Sequence, residues 1–193
     1  MGLYNYISRY KKFDKADKNV IKFGLEMLYT IVISGCIALL IALYMKSFFE
    51  AVIFLSVLMP LRQNAGGYHA DKRIICAIIS LFIYVLALYV IKYVNISGVV
   101  QFLIFVMCSM YIIRYAPVDS INNKLDDMEY AYYKLKTRRI VVIISALFTL
   151  LYIWEYYYWS QIIIEAVSIS TGLLIIGNIK NKIVKDLGKL WVV

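Results

Sequence analysis

The sequence is poor in the residue types from which most enzyme sites are assembled. Its 193 residues hold one histidine, three cysteines and two prolines. Cys36, Cys76 and Cys108 fall in or beside apolar stretches and make no C-x-x-C pair, so neither a disulfide framework nor a zinc site is indicated. No glycine-rich phosphate loop of the usual pattern is present either, and no metal or cofactor is expected. Internal repeats and low-complexity tracts are lacking as well. The first twenty residues do not show the charged-then-apolar order of a cleavable signal peptide, which leaves the first spanning segment as the expected insertion signal.

What the chain has in excess is apolar surface. Hydrophobic residues make up 63% of it and the mean hydropathy is +0.74, above the share of about 45–50% in a soluble domain. The apolar residues come in runs long enough to enter a bilayer. The expected fold is therefore all-α: a polytopic membrane protein of about six transmembrane helices, preceded by an amphipathic helix. The chain reads as one integral membrane domain over residues 1–193. Residues 1–22 form the surface helix, 23–178 the transmembrane core and 179–193 a basic tail. Expected spans are Phe23 to Met45, Phe48 to Leu61, Ile74 to Ile91, Gly98 to Ile113, Ile140 to Trp154 and Gln161 to Gly177. The second of these is short enough to be re-entrant, and Pro60 is expected to break its helix. Arg114 to Arg139 reads as the longest polar loop. The aromatic cluster from Trp154 through Trp159 reads as an interfacial belt.

The net charge is +9. Nucleic acid is not the expected partner, because the cations sit in short segments between apolar runs. Nineteen of the 21 lie in the N-terminal segment, around residues 62–73, in the 114–139 loop and in the tail; only Lys46 and Lys92 fall elsewhere. That asymmetry puts both termini and the 62–73 loop in the cytoplasm of a multi-pass cell-membrane protein and suits a bilayer rich in anionic lipid.

One polar island stands out: Arg62-Gln-Asn-Ala-Gly66-Gly67-Tyr-His69-Ala-Asp-Lys-Arg-Ile-Ile-Cys76. It holds the single histidine, a cysteine and the only Gly-Gly pair, flanked by Arg62, Lys72 and Arg73. A thiol and an imidazole are the minimal parts for nucleophilic acyl transfer, and positive charge favours the thiolate. Residues seven apart on a straight helix are separated by about 10.5 Å of rise, whereas a base must come within about 3 Å of the proton it removes. His69 is thus expected in a loop folded back over the start of the next helix, or else its partner comes from another chain. Gly66–Gly67 permits such a turn. Asp71 is the expected N-cap of the helix that carries Cys76. Taken singly, a loop histidine is often only solvated and a cysteine in an apolar helix often only packs. Cys36 and Cys108 read as packing residues of that kind. Glu165 interrupts an apolar span, where a carboxylate is a candidate functional group or simply reaches water. Asp119 either caps a helix after Pro117 or contacts substrate.

The string Arg62-x-x-x-Gly66-Gly67-x-His69-Ala70-x-x-x-x-x-Cys76, with Ala116-Pro117-x-Asp119 before a polar loop, resembles the core motif of the accessory gene regulator protein B (AgrB) family. The resemblance implies an integral membrane cysteine endopeptidase that processes an AgrD-type propeptide into a cyclic quorum-sensing signal, a thiolactone or lactone. It implies His69 as base and Cys76 as nucleophile, with Arg62, Gly66, Gly67 and Asp119 as supporting or substrate-binding positions. The expected partners are that propeptide and the bilayer, and a homodimer is allowed. Two other classes compete: a small membrane transporter, and a non-catalytic membrane binding partner.

Overall fold

The structure, a computed structural model, describes residues 15–67, 73–118 and 126–190. Among the described residues there are six helices and no strand: α1 (Lys15–Tyr44), α2 (Phe48–Ala65), α3 (Arg73–Tyr93), α4 (Gly98–Tyr115), α5 (Asp127–Ile153) and α6 (Tyr157–Leu190). The all-helical expectation agrees with this. Three of them contain stretches long and apolar enough to cross a membrane: Ile75–Tyr93, Gly98–Tyr115 and Tyr157–Val184. The other helices carry shorter apolar runs joined to polar ends.

The chain divides into two units, residues 1–45 and 46–193. The first consists of α1, whose 30 residues make a rod about 45 Å long. Residues 15–22 were expected to end a separate surface helix, and residues 1–14 of that helix lie outside the described residues. From Lys15 the helix runs unbroken into the apolar stretch. No proline interrupts it, and Gly24 and Gly35 each cost only about 1 kcal/mol relative to alanine.

In the second unit α6 is the hub, packed against α2, α3, α4 and α5. Its sequence explains this position. Ser160, Gln161, Ile162, Ile163, Ile164, Ala166 and Val167 are all buried, and a helix buried on every side is one that other helices surround. Packing between α4 and α5 is anchored by Phe105 and Phe148, stacked with centroids 4.0 Å apart.

Pro60 does not break α2, contrary to expectation. It lies inside the helix, which continues to Ala65. Asn64 Nδ2 donates to the Pro60 carbonyl at 2.7 Å, so that carbonyl keeps a partner in the last turn. What ends the helix is the glycine pair, with φ of 73° at Gly66 and 118° at Gly67, a region where side chains are strained.

The expected long polar loop is also shorter than Arg114 to Arg139. Helix α4 extends through Tyr115, and α5 starts at Asp127. A capping box sets that start: Asp126 accepts from the Asp127 N–H at 2.8 Å, and Glu129 accepts from the Asp126 N–H at 3.2 Å.

The ends of α3, α4 and α6 opposite the glycine pair are tied by a buried polar network. Gln161 Nε2 donates to the Val94 carbonyl at 2.6 Å, and the Ile96 N–H donates to Gln161 Oε1 at 3.3 Å. Ser160 Oγ donates to Gln101 Oε1 at 2.6 Å, while Gln101 Nε2 donates to the Ile96 carbonyl at 2.9 Å. Gln161 is 2% exposed, so its loss strands buried partners. Gln161→Leu is expected to cost about 2 kcal/mol, or about 4–8 °C in unfolding midpoint for a chain of this size. Calorimetry in detergent checks this; an unchanged midpoint would show that the 94–97 turn is held by something else.

Candidate functional site

The site is built where α2 ends. Two chain segments close on its glycine pair. The Val118 N–H donates to the Ala65 carbonyl at 2.9 Å, and Gly66 and Val118 form an isolated parallel bridge. The Ala116–Pro117 peptide before it is cis. On the other side, a Cβ placed on Gly67 would lie 3.0 Å from the Leu173 carbonyl oxygen of α6. The glycines are therefore required twice over: their backbone angles are positive, and the space of a side chain is already occupied by backbone. Two separated strings of the sequence, Arg62 to Gly67 and Ala116 to Val118, become neighbours by main-chain pairing.

Arg62 comes from the last turn of α2, beyond the apolar run that ends at Leu61. Its side chain folds along the glycine pair: Nη1 is buried and would be 3.2 Å from a Cβ on Gly67. Burial pulls the guanidinium below its ordinary pKa, because a desolvated charge is disfavoured. The nearby Cys76 sulfur acts in the opposite direction. Cys76 thus lies within electrostatic reach of Arg62, although the two come from different helices. Cys76 sits in the first turn of α3, half-exposed and unpaired with any other cysteine. Its expected position just inside the helix agrees with this, with the helix starting at Arg73.

The structure brings Arg62, Gly66, Gly67 and Cys76 to one end of the second unit. His69, Asp71, Lys72 and Asp119, and the side chain of Arg73, lie outside the described residues. Glu165 is half-buried in α6, two helical turns before Leu173 and so about 12 Å from the glycine contact along the axis. Cys36 is exposed and Cys108 half-exposed; the Cys108 thiol lies 3.8 Å from Ser168 Oγ. Among the described residues no three His, Cys, Asp or Glu side chains gather as a metal site would require. Sequence reasoning missed Val118 and Leu173 entirely. Both act through backbone atoms, so their side chains carry no signal. The capping box Asp126-x-x-Glu129 was a legible signal for the start of α5.

A helical bundle with apolar spans, a glycine pair closed by main-chain contacts and a half-exposed cysteine at a helix start defines a membrane protein with a thiol-bearing site at one end. The family model for accessory gene regulator B (AgrB) matches residues 2–177, and this chain belongs to that family. It is 28% identical over 114 residues to a protein of Clostridium acetobutylicum named as AgrB-like, covering 59% of this chain and 54% of that one. It is also 28% identical over 126 residues to an AgrB-like protein of Clostridium perfringens strain 13, covering 62% of this chain and 59% of that one. The matches thus span little more than half the length of these relatives. No solved structure matches the chain.

Proposed function

We propose that this chain is a membrane cysteine endopeptidase that matures a cyclic autoinducing peptide from an AgrD-type propeptide. The observation that carries the reading is the convergence of Arg62, Gly66, Gly67 and Cys76 at one end of the bundle. Membership of the AgrB family supports it.

The chemistry follows from the residues. His69 stands two residues beyond Gly67 in the chain, close enough by covalent tether to serve a site built on that glycine. Its imidazole takes the proton from Cys76 Sγ, and the sulfur attacks a propeptide carbonyl carbon. The resulting tetrahedral intermediate collapses. The C–N bond breaks, the amine of the downstream segment leaves with the proton held by His69, and the upstream acyl group stays on Cys76 as a thioester. A thiol or hydroxyl within the propeptide then attacks the thioester carbonyl. Cys76 departs as thiolate and regains a proton, and the ring closes as a thiolactone or lactone. An apolar surrounding disfavours water as the competing nucleophile. Asp119, next in the chain after Val118, is the candidate for contacting the propeptide.

A propeptide whose internal thiol or hydroxyl residue is replaced by alanine should stall after the first half-reaction. Intact-mass spectrometry of the co-purified protein should then show the upstream peptide attached at Cys76, released by hydroxylamine. Cleavage that proceeds with no adduct at Cys76 would exclude the thioester route.

A further inference from the structure

Helix α3 is packed along only part of its length. Tyr84, Ala87, Leu88 and Ile91 are buried, at the three- and four-residue spacing of a stripe that faces other helices. Those helices are α2 and α6. Phe54 of α2 meets Tyr84 with ring centroids 6.1 Å apart. The Val94 carbonyl, just past the end of α3, accepts from Gln161 Nε2 of α6 at 2.6 Å. Carried back towards the start of α3, the same spacing reaches Ser80 and Ala77, with Cys76 at the edge of the stripe. Here the packing stops. Ile75, Ala77, Ile78, Ile79 and Ser80 are all exposed, and Cys76 is half-exposed. A run of this length passes once round the helix, so these turns are uncovered on the inner side as well as the outer. A helix with lipid on one side and the bundle on the other would keep Ala77 and Ser80 covered. Instead, the seam that is shut from Tyr84 to Ile91 stands open over about 9 Å of helix beside the thiol.

We propose that this open seam is the docking surface for the propeptide: apolar side chains just upstream of the cleaved bond lie in it, and Ala77 and Ser80 set the size it accepts. The inference rests on the peptidase reading and names the substrate chemistry that reading leaves open. Position selects the occupant. An acyl group carried on Cys76 keeps its upstream residues beside the sulfur, and Ser80 lies one helical turn from Cys76 on the same side. Chemistry selects its character. No charged residue occurs from Ile74 to Ile91, so a charged substrate side chain would find no partner on this helix, and burying one unpaired is costly. An apolar side chain instead extends the interface that Tyr84, Ala87 and Ile91 already make.

The test reconstitutes the full-length protein in liposomes with a tagged cognate AgrD-type propeptide. Ala77→Leu and Ser80→Leu fill the seam, and each should raise KM for cleavage by at least about tenfold while changing kcat less. Trimming the bulky apolar residue next to the cut to alanine should recover most of that loss in Ala77→Leu, although the trimmed propeptide is the poorer substrate for the parent protein. Leu86→Ala, on the exposed outer side of the closed part of α3, should leave KM unchanged. Independently, p-benzoylphenylalanine in place of Ser80 should join on irradiation to the upstream segment of the propeptide, located by mass spectrometry. That measurement decides if the leucine variants do not fold. Unchanged KM in both leucine variants overturns the proposal, and so do cross-links from position 80 only to lipid or to a second copy of the chain. Cross-linking to propeptide in a protein that forms no acyl adduct at Cys76 would keep the docking surface and remove the peptidase reading, so the two failures are distinguishable.

Discussion

Replacing Cys76 with alanine will reduce propeptide cleavage to background, a loss of at least about a thousandfold if it is the sole nucleophile. The size of the effect follows from the proposed role, in which the Cys76 sulfur carries the acyl group between the two half-reactions. Cys108 cannot substitute, because its sulfur lies against Ser168 on α6, five residues before Leu173 on that helix. Cys76→Ser is expected to fall nearly as far, since a hydroxyl is far harder to deprotonate than a thiol. The substitution should leave the fold intact, because Cys76 is half-exposed in the first turn of its helix. The measurement is co-expression with a tagged propeptide and quantification of the cleaved product, alongside the unfolding midpoint. Cleavage that persists in Cys76→Ala would end the assignment of the nucleophile.

Gly66→Ala is expected to disable the site by a different route. At φ 73° and ψ −144°, Gly66 occupies backbone space that is nearly exclusive to glycine, where any other residue costs about 1–3 kcal/mol. The added methyl would also run into the carbonyl of Val118. That atom is main chain, and the Val118 N–H is already committed to Ala65, so it cannot swing aside. Relief requires breaking the contact between the two segments. Cleavage should fall by about a hundredfold, as expected when reacting groups lose their alignment, while α3 to α6 retain their helical content by circular dichroism. Gly35, whose Cβ position is open, is the control: Gly35→Ala should change neither quantity. Equal activity in Gly66→Ala and the parent protein would show that the Gly66–Val118 pairing does not align the site.

The parts of this architecture that rest on side-chain pattern were readable in the sequence. Long apolar runs gave the helices, and the polar island gave Arg62, Gly66, Gly67 and Cys76 as one group. The end of α2 was partly misread, because Pro60 weighs heavily in a local rule, whereas the helix continues through it to Ala65 and stops at the glycine pair. The start of α5 was missed because the polar face of residues 127–139 looks like loop by composition, although Asp126 and Glu129 mark a helix start. The contacts of Val118 and Leu173 with the glycines could not be read at all. Main-chain atoms are the same at every position, so a sequence shows that a glycine needs room without showing what fills it. The nearness of Arg62 to Cys76 had the same origin. Fourteen positions apart in the chain, one lies where α2 stops and the other where α3 begins.

The length of α6 sets the depth at which this end lies. Its 34 residues make a rod about 51 Å long, well beyond a hydrocarbon layer of about 30 Å. Leu173, where Gly67 rests, is about 24 Å along the axis from Tyr157, leaving roughly another 25 Å of helix beyond it. With the aromatic start of α6 at one headgroup layer, the glycine seam falls just inside the other. A peptide lying flat along that layer would reach the thiol without threading its backbone through oil, and the severed downstream piece could drift back into water from where it was cut.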